Sequence, residues 1–70
     1  MSRATVTAAL REGGKALLQA GIEGGARDLR LLMAHVLGIE AARMTLHLQD
    51  EVPTAAAAAF EALVLRRMAR

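Results

Sequence analysis

Glycine and proline divide this chain into short segments, and this division limits the possible folds more than any other feature of the sequence. Glycine interrupts regular structure through its conformational freedom, and proline through its missing N–H group. The six glycines stand at positions 13, 14, 21, 24, 25 and 38, and the single proline stands at position 53. Four segments of secondary-structure length lie between these breaks, so a single small domain of short elements is expected over residues 1–70.

Three of the four segments have apolar residues at helical spacing. The strongest pattern lies in residues 26–37, at Leu29, Leu32, Met33, Val36 and Leu37. Residues 5–20 predict a helix with Thr5 as its N-cap and Gly21 just beyond its end. Residues 54–68 predict another, because five consecutive alanines favour helix and Pro53 is acceptable at a helix start. The glycine pair at 13 and 14 is expected to allow close packing against another helix.

The third segment is ambiguous. Residues 44–49 alternate apolar and polar side chains with period two, which is typical of a strand. A lone strand would have no partner, because no other segment alternates convincingly. We therefore predict a short helix over residues 41–48, and for the whole chain an all-α fold, a small bundle of four or five helices.

Composition excludes several classes of site. The chain has no cysteine, which rules out disulfides and thiolate metal sites, and its two histidines are too few for a zinc site by themselves. No apolar run approaches the roughly 20 residues of a membrane span, and no secretory signal is evident, so a soluble cytoplasmic protein is expected. The net charge of +2 arises entirely in residues 53–70, which hold three Arg and one Glu. A basic helix end suits the helix dipole better than it suits a nucleic-acid surface.

The residues offer little for catalysis. No catalytic, cofactor-binding or metal-ligating set is predicted, and the glycines at 21–25 are best explained as a helix end and a turn, because no strand precedes them. A helix-turn-helix DNA-binding domain is one alternative, since the turn near Gly38 has suitable spacing. Its recognition helix, residues 40–48, would have Arg43 as its one cation, too few for groove reading. A helical interaction or dimerisation module is another alternative.

Asp28, Leu31 and His35 are candidate partner contacts on the second predicted helix. Asp28 and His35 are two turns apart, roughly 10 Å of rise, which is too far for a direct acid–base pair. A solvated Asp28 that favours the helix dipole is the simpler interpretation. For His35, a partly buried ring bonded to a backbone group is expected. Leu31 lies outside the main apolar stripe, which is typical of a central helix packed by several neighbours.

Several short pieces, in order, resemble a known family. They are Leu-Arg-Glu at 10–12, Leu-Leu-Gln-Ala-Gly-Ile at 17–22, Asp28 followed by Leu-Leu-Met-Ala-His-Val-Leu-Gly at 31–38, Phe-Glu-Ala-Leu-Val at 60–64 and Arg-Arg at 66–67. Over about residues 6–70 the chain is similar to the N-terminal domain of the PrmC (HemK) family, the peptide chain release factor N5-glutamine methyltransferases. Leu29, Gly25 and Pro53 depart from the residues usual in that family.

The resemblance implies a helical substrate-recognition domain joined, in a longer parent, to a methyltransferase domain that uses S-adenosylmethionine. The implied partners are a peptide chain release factor, methylated at its Gly-Gly-Gln glutamine, and the parent's own C-terminal catalytic domain. The family's Asn-Pro-Pro-Tyr motif is missing, because the sequence has no Asn and no Tyr. This chain is therefore expected to be a separate domain with no enzyme activity and no cofactor of its own. Exposed arginines complete the candidate partner contacts, because Arg is favoured at interfaces: Arg43, Arg66, Arg67 and Arg70.

Overall fold

The computed structural model describes residues 4–69, which form four helical elements. Helix α1 spans Val6–Gln19, α2 spans Gly25–Leu37, a 3₁₀ helix spans Ala41–His47, and α3 spans Thr54–Ala69. No regular strand occurs in this range, so the predicted all-α bundle is confirmed. None of these helices is long and apolar enough to cross a membrane.

The helix ends follow the predicted signals. The Thr5 hydroxyl accepts a hydrogen bond from the Ala8 N–H at 3.2 Å, which satisfies one of the free donors at the start of α1. Gly38 closes α2 in the left-handed conformation, with φ +70°, where a side chain would be strained. The Ile39 N–H then donates to the Ala34 carbonyl at 3.0 Å, completing a Schellman motif. Glycine adopts this conformation at the end of α2 without strain.

Helix α2 is the centre of the bundle, because it contacts α1, α3 and the 3₁₀ helix. Its buried side chains Leu29 and Met33 are at most 1% exposed. Around them lies one continuous apolar core drawn from every element, which consists of Val6, Leu17, Leu29, Met33, Ala34, Met44, Val52, Phe60 and Val64. The core therefore joins residues that are distant in sequence, and α2 holds it together.

The glycine pair in α1 has two different roles. Gly13 is buried, and a Cβ placed there would lie 3.4 Å from both Cδ atoms of Leu29 and 3.5 Å from Cε2 of Phe60. Gly14 has no atom within 4 Å of such a Cβ. The predicted close packing is therefore correct for Gly13 and wrong for Gly14, because only position 13 faces α2 and α3.

The segment with alternating polarity forms the 3₁₀ helix Ala41–His47. A helical element at this place was predicted, but the hydrogen bonding is tighter than in an α-helix, and the only buried side chain of this helix is Met44. The backbone at the start of α1 forms hydrogen bonds with the chain that follows the 3₁₀ helix. The Val6 N–H donates to the Asp50 carbonyl at 2.9 Å, and the Val52 N–H donates to the Ala4 carbonyl at 3.0 Å. These bonds fix the connection to α3.

Candidate functional site

The exposed side of α2 presents a leucine between two basic residues. Arg27, Leu31 and His35 follow one another at intervals of four residues, so they form a row along the helix. All three are exposed, and Leu31 keeps 53% of its accessible surface. The opposite side of the helix carries the buried Leu29 and Met33. The row is therefore a solvent-facing surface on an element fixed by the core.

An ion pair next to this row joins α2 to α3. The Arg67 guanidinium Nη2 lies 2.8 Å from Oδ2 of Asp28, and the two side chains are 47% and 44% exposed. The pair links the first turn of α2 to the last turn of α3. At this exposure the pair contributes about 0–1 kcal/mol to folding. Its main effect is to place the Arg67 cation beside the α2 row.

We call this surface the α2 face: Arg27, Asp28, Leu31 and His35 on α2, with Arg67 on α3. Two of its features were not predicted from the sequence. The interpretation of Asp28 as simply solvated missed Arg67, because nothing local indicates a partner so distant in the chain. Arg27 was missed too, although its position four residues before Leu31 is a visible signal.

The structure corrects the expectations for His35 and Leu31. The His35 side chain is exposed rather than partly buried, and it forms no hydrogen bond within residues 4–69. The His35 carbonyl instead accepts from the N–H of Gly38 at 3.2 Å. Helix α2 is central, as expected, but its neighbours do not cover Leu31, because they pack on the opposite side. Both residues are therefore accessible to a partner.

The remaining candidate contacts are less closely connected to this surface. Arg66 is exposed next to Arg67, and Arg43 is exposed in the 3₁₀ helix that follows the far end of α2. Neither forms an ion pair with any residue in 4–69. Arg70 lies outside the described residues. The structure thus places Asp28, Leu31, His35 and Arg67 on one surface and leaves Arg43 on a separate element.

The α2 face is suited to binding rather than to bond-breaking chemistry. It combines an apolar side chain with cations that can donate hydrogen bonds, and its one carboxylate is already paired with Arg67. In the described part of the chain, no three His, Asp or Glu residues lie close enough together to hold a metal ion. A second close pair, His47 Nδ1 and Asp50 Oδ2 at 2.8 Å, lies at the end of the 3₁₀ helix. That pair is exposed and bridges residues three apart.

The structure weakens the helix-turn-helix alternative. The segment that would be the recognition helix is the 3₁₀ helix Ala41–His47. A recognition helix lies in the major groove as a regular α-helix with several donors. Here the segment is short, and Arg43 is its one Lys or Arg.

Comparison with known proteins gives two findings. The family model described as the PrmC N-terminal domain matches residues 8–70. The chain is also 52% identical over 62 residues to a protein of Cereibacter sphaeroides named release factor glutamine methyltransferase. That match covers 89% of this chain but only 22% of the relative, so the chain spans about a fifth of that protein's length. The comparison with solved structures found no match.

Proposed function

Because the chain belongs to the PrmC N-terminal domain family, we propose that it binds a peptide chain release factor. It holds this substrate while a catalytic domain of the same parent protein methylates a glutamine of the release factor. The name of the Cereibacter sphaeroides relative supports this choice of substrate. Methyl transfer and S-adenosylmethionine belong, in this proposal, to the larger part of such a protein, outside the matched region. Within residues 4–69, no strand leads into a glycine-rich loop.

The observation that supports the proposal best is the exposed Leu31 within the α2 face. A large apolar side chain that keeps 53% of its surface has no role in the core of this domain. Surrounded by Arg27, His35 and the Asp28–Arg67 pair, it has the arrangement of a small interface, with an apolar centre and a polar, arginine-rich rim. The α2 face is therefore the proposed contact surface.

The charges of the α2 face indicate the complementary surface. Arg27 and Arg67 carry positive charge, and Asp28 neutralises one of these charges at most. The release factor is therefore expected to present an acidic region around an apolar pocket. Such complementarity speeds encounter and sets orientation, and its effect decreases as salt screens the charges.

Holding the substrate contributes to catalysis even without a catalytic group. A surface this small is expected to bind weakly by itself. When it is joined to a catalytic domain, its contact makes the second binding event intramolecular and raises the local concentration of the glutamine, to millimolar for a short flexible connection. An oriented substrate also loses less entropy at the reaction step. This explains how a domain with no catalytic set can serve a methyltransferase.

Isothermal titration calorimetry with matched leucine variants tests the proposal. We expect the 70-residue chain to bind a full-length release factor carrying Gly-Gly-Gln, and Leu31→Ala to weaken that binding by about tenfold or more, as loss of an interface centre does. Leu46→Ala is the control, because Leu46 is 75% exposed on the 3₁₀ helix, which carries no residue of the α2 face. It should bind as the parent chain does. Absence of binding at high concentration, or equal losses in both variants, would contradict the proposal.

A further inference from the structure

A groove between α1 and α3 forms a second surface, distinct from the α2 face. It is open to solvent and has a volume of about 430 Å³. The α1 wall carries Ala9, Gly13 and Ala16, whose spacing of four and three residues puts them on one side of the helix. Because these residues are small, another backbone can approach α1 closely along this line.

The wall formed by α3 is more apolar and partly uncovered. Ala57 and Leu65 line it, with Phe60 at the floor. Leu65 keeps 59% of its surface exposed, although it lies beside the buried Val64. This side of α3 differs from the side that carries Arg67, because Leu65 and Arg67 are two residues apart and so point about 200° apart around the helix. The groove and the α2 face can therefore be occupied at the same time.

Two carboxylates give the groove a negative rim. Glu12 stands on the α1 side and Glu61 on the α3 side, and no Lys or Arg lines the groove among the described residues. Glu61 forms no ion pair within residues 4–69. Glu12 has only a long contact with Lys15, 3.9 Å between two exposed side chains, and contacts of that kind contribute little. Both acids are therefore available to a cationic partner.

We propose that this groove binds a single amphipathic helix of a partner protein, with an apolar stripe against Gly13 and Phe60 and lysine or arginine along its edges. Laying a helix into an apolar groove between two helices is a common mode of recognition. The small side chains allow the close approach, and the acid on each wall selects for positive charge on both edges. This inference does not depend on the proposed role of the α2 face.

The same charges argue against other occupants. A second copy docked around a two-fold axis would pair the surface with itself, bringing Glu12 and Glu61 close to their own equivalents. A membrane surface is disfavoured, because anionic headgroups would meet the two carboxylates. An amphipathic basic helix complements the groove, because its apolar side fits the apolar lining and its positive charges pair with Glu12 and Glu61.

A model peptide provides the test. The probe is a helix-forming peptide of about 18 residues, long enough to be helical in contact with a surface, built from leucine on one side and lysine on the other. A second peptide with glutamate in place of every lysine is the control. In NMR titrations of the ¹⁵N-labelled chain, the lysine peptide should shift the amides of Gly13, Ala16, Ala57 and Leu65. The glutamate peptide should leave these amides unchanged, even if it binds at the α2 face.

Matched variants make the assignment specific. Ala57→Arg places bulk and positive charge in the groove and should weaken binding of the lysine peptide by about tenfold or more. Ala58→Arg is the control, since Ala58 is exposed on the same helix but does not line the groove. Glu61→Lys should also weaken binding, and Glu23→Lys, in the loop between α1 and α2, should not. Circular dichroism checks that each variant is folded.

Three results would overturn this inference: equal losses for Ala57→Arg and Ala58→Arg, equal groove shifts with both peptides, or a concentration-dependent dimer that Ala57→Arg abolishes. None of them bears on release factor binding at the α2 face. Conversely, failure of Leu31→Ala to weaken release factor binding leaves the groove inference standing.

Discussion

Neighbouring glycines in α1 show how position decides the effect of one residue type. Gly13 is enclosed by Leu29 and Phe60, whereas a Cβ at Gly14 would have no atom within 4 Å. Glycine inside a helix costs about 1 kcal/mol relative to alanine. At Gly14 no packing contact offsets that cost. At Gly13 a Cβ would instead make ordinary van der Waals contact with Leu29 and Phe60.

Alanine substitutions separate the two roles. Gly14→Ala is expected to raise the free energy of unfolding by about 0.5–1 kcal/mol, because it adds helix propensity without a new contact. Gly13→Ala should give at least the same gain, since its methyl group would make ordinary van der Waals contact with Leu29 at 3.4 Å and with Phe60 at 3.5 Å and would bury apolar surface. Urea unfolding followed by circular dichroism measures both. A loss of stability in Gly13→Ala would show that the α1 packing is described incorrectly.

Local sequence signals predicted the role of a residue only where its interaction partners are close in sequence. The Thr5 cap and the glycine ends of α1 and α2 depend on neighbouring backbone groups and were predicted correctly. The Asp28–Arg67 pair depends on how α2 and α3 pack and was not predicted. The role of Gly25 could not be predicted from local sequence either. It depends on the packing of α2 against α1, because an added Cβ there would overlap Cδ1 of Leu17.

Element by element, α2 determines the fold, and its two sides have different roles. Leu29 and Met33 are buried, while Leu31 is 53% exposed on the same helix. Periodicity placed the buried stripe correctly. It could not show which neighbours cover the rest of the helix, so Leu31 was attributed to packing. Likewise, residues 41–48 were predicted as helical, but the sequence did not show that Ala41–His47 forms a 3₁₀ helix.

Truncating each side of α2 tests this division. Met33→Ala is expected to lower the free energy of unfolding by about 2–5 kcal/mol, because it leaves a cavity in the core. Leu31→Ala should change stability by less than about 0.5 kcal/mol, as exposed substitutions usually do. Thermal and urea unfolding compare the two. A large loss of stability in Leu31→Ala would mean that Leu31 is a core residue, and its use as a binding probe would then fail.

For the whole molecule, the sequence predicted the helical bundle and the family, and the family model matches residues 8–70. It did not predict the surfaces. The α2 face brings α2 and α3 together, and the groove brings α1 and α3 together, so neither is visible as a motif in one segment. The proposed contacts Asp28, Leu31, His35 and Arg67 lie together, and Arg43 does not. Both proposed binding surfaces thus depend on how the helices pack.

Chemical-shift mapping with a release factor tests the central claim most directly. The ¹⁵N-labelled chain is titrated with a full-length release factor at low salt and again at higher salt. We expect shifts and line broadening at Arg27, Leu31, His35 and Arg67, with affinity that falls as salt rises, because charges contribute to the contact. A spectrum unchanged at high release factor concentration, or changes confined to the 3₁₀ helix with the α2 face untouched, would contradict the account.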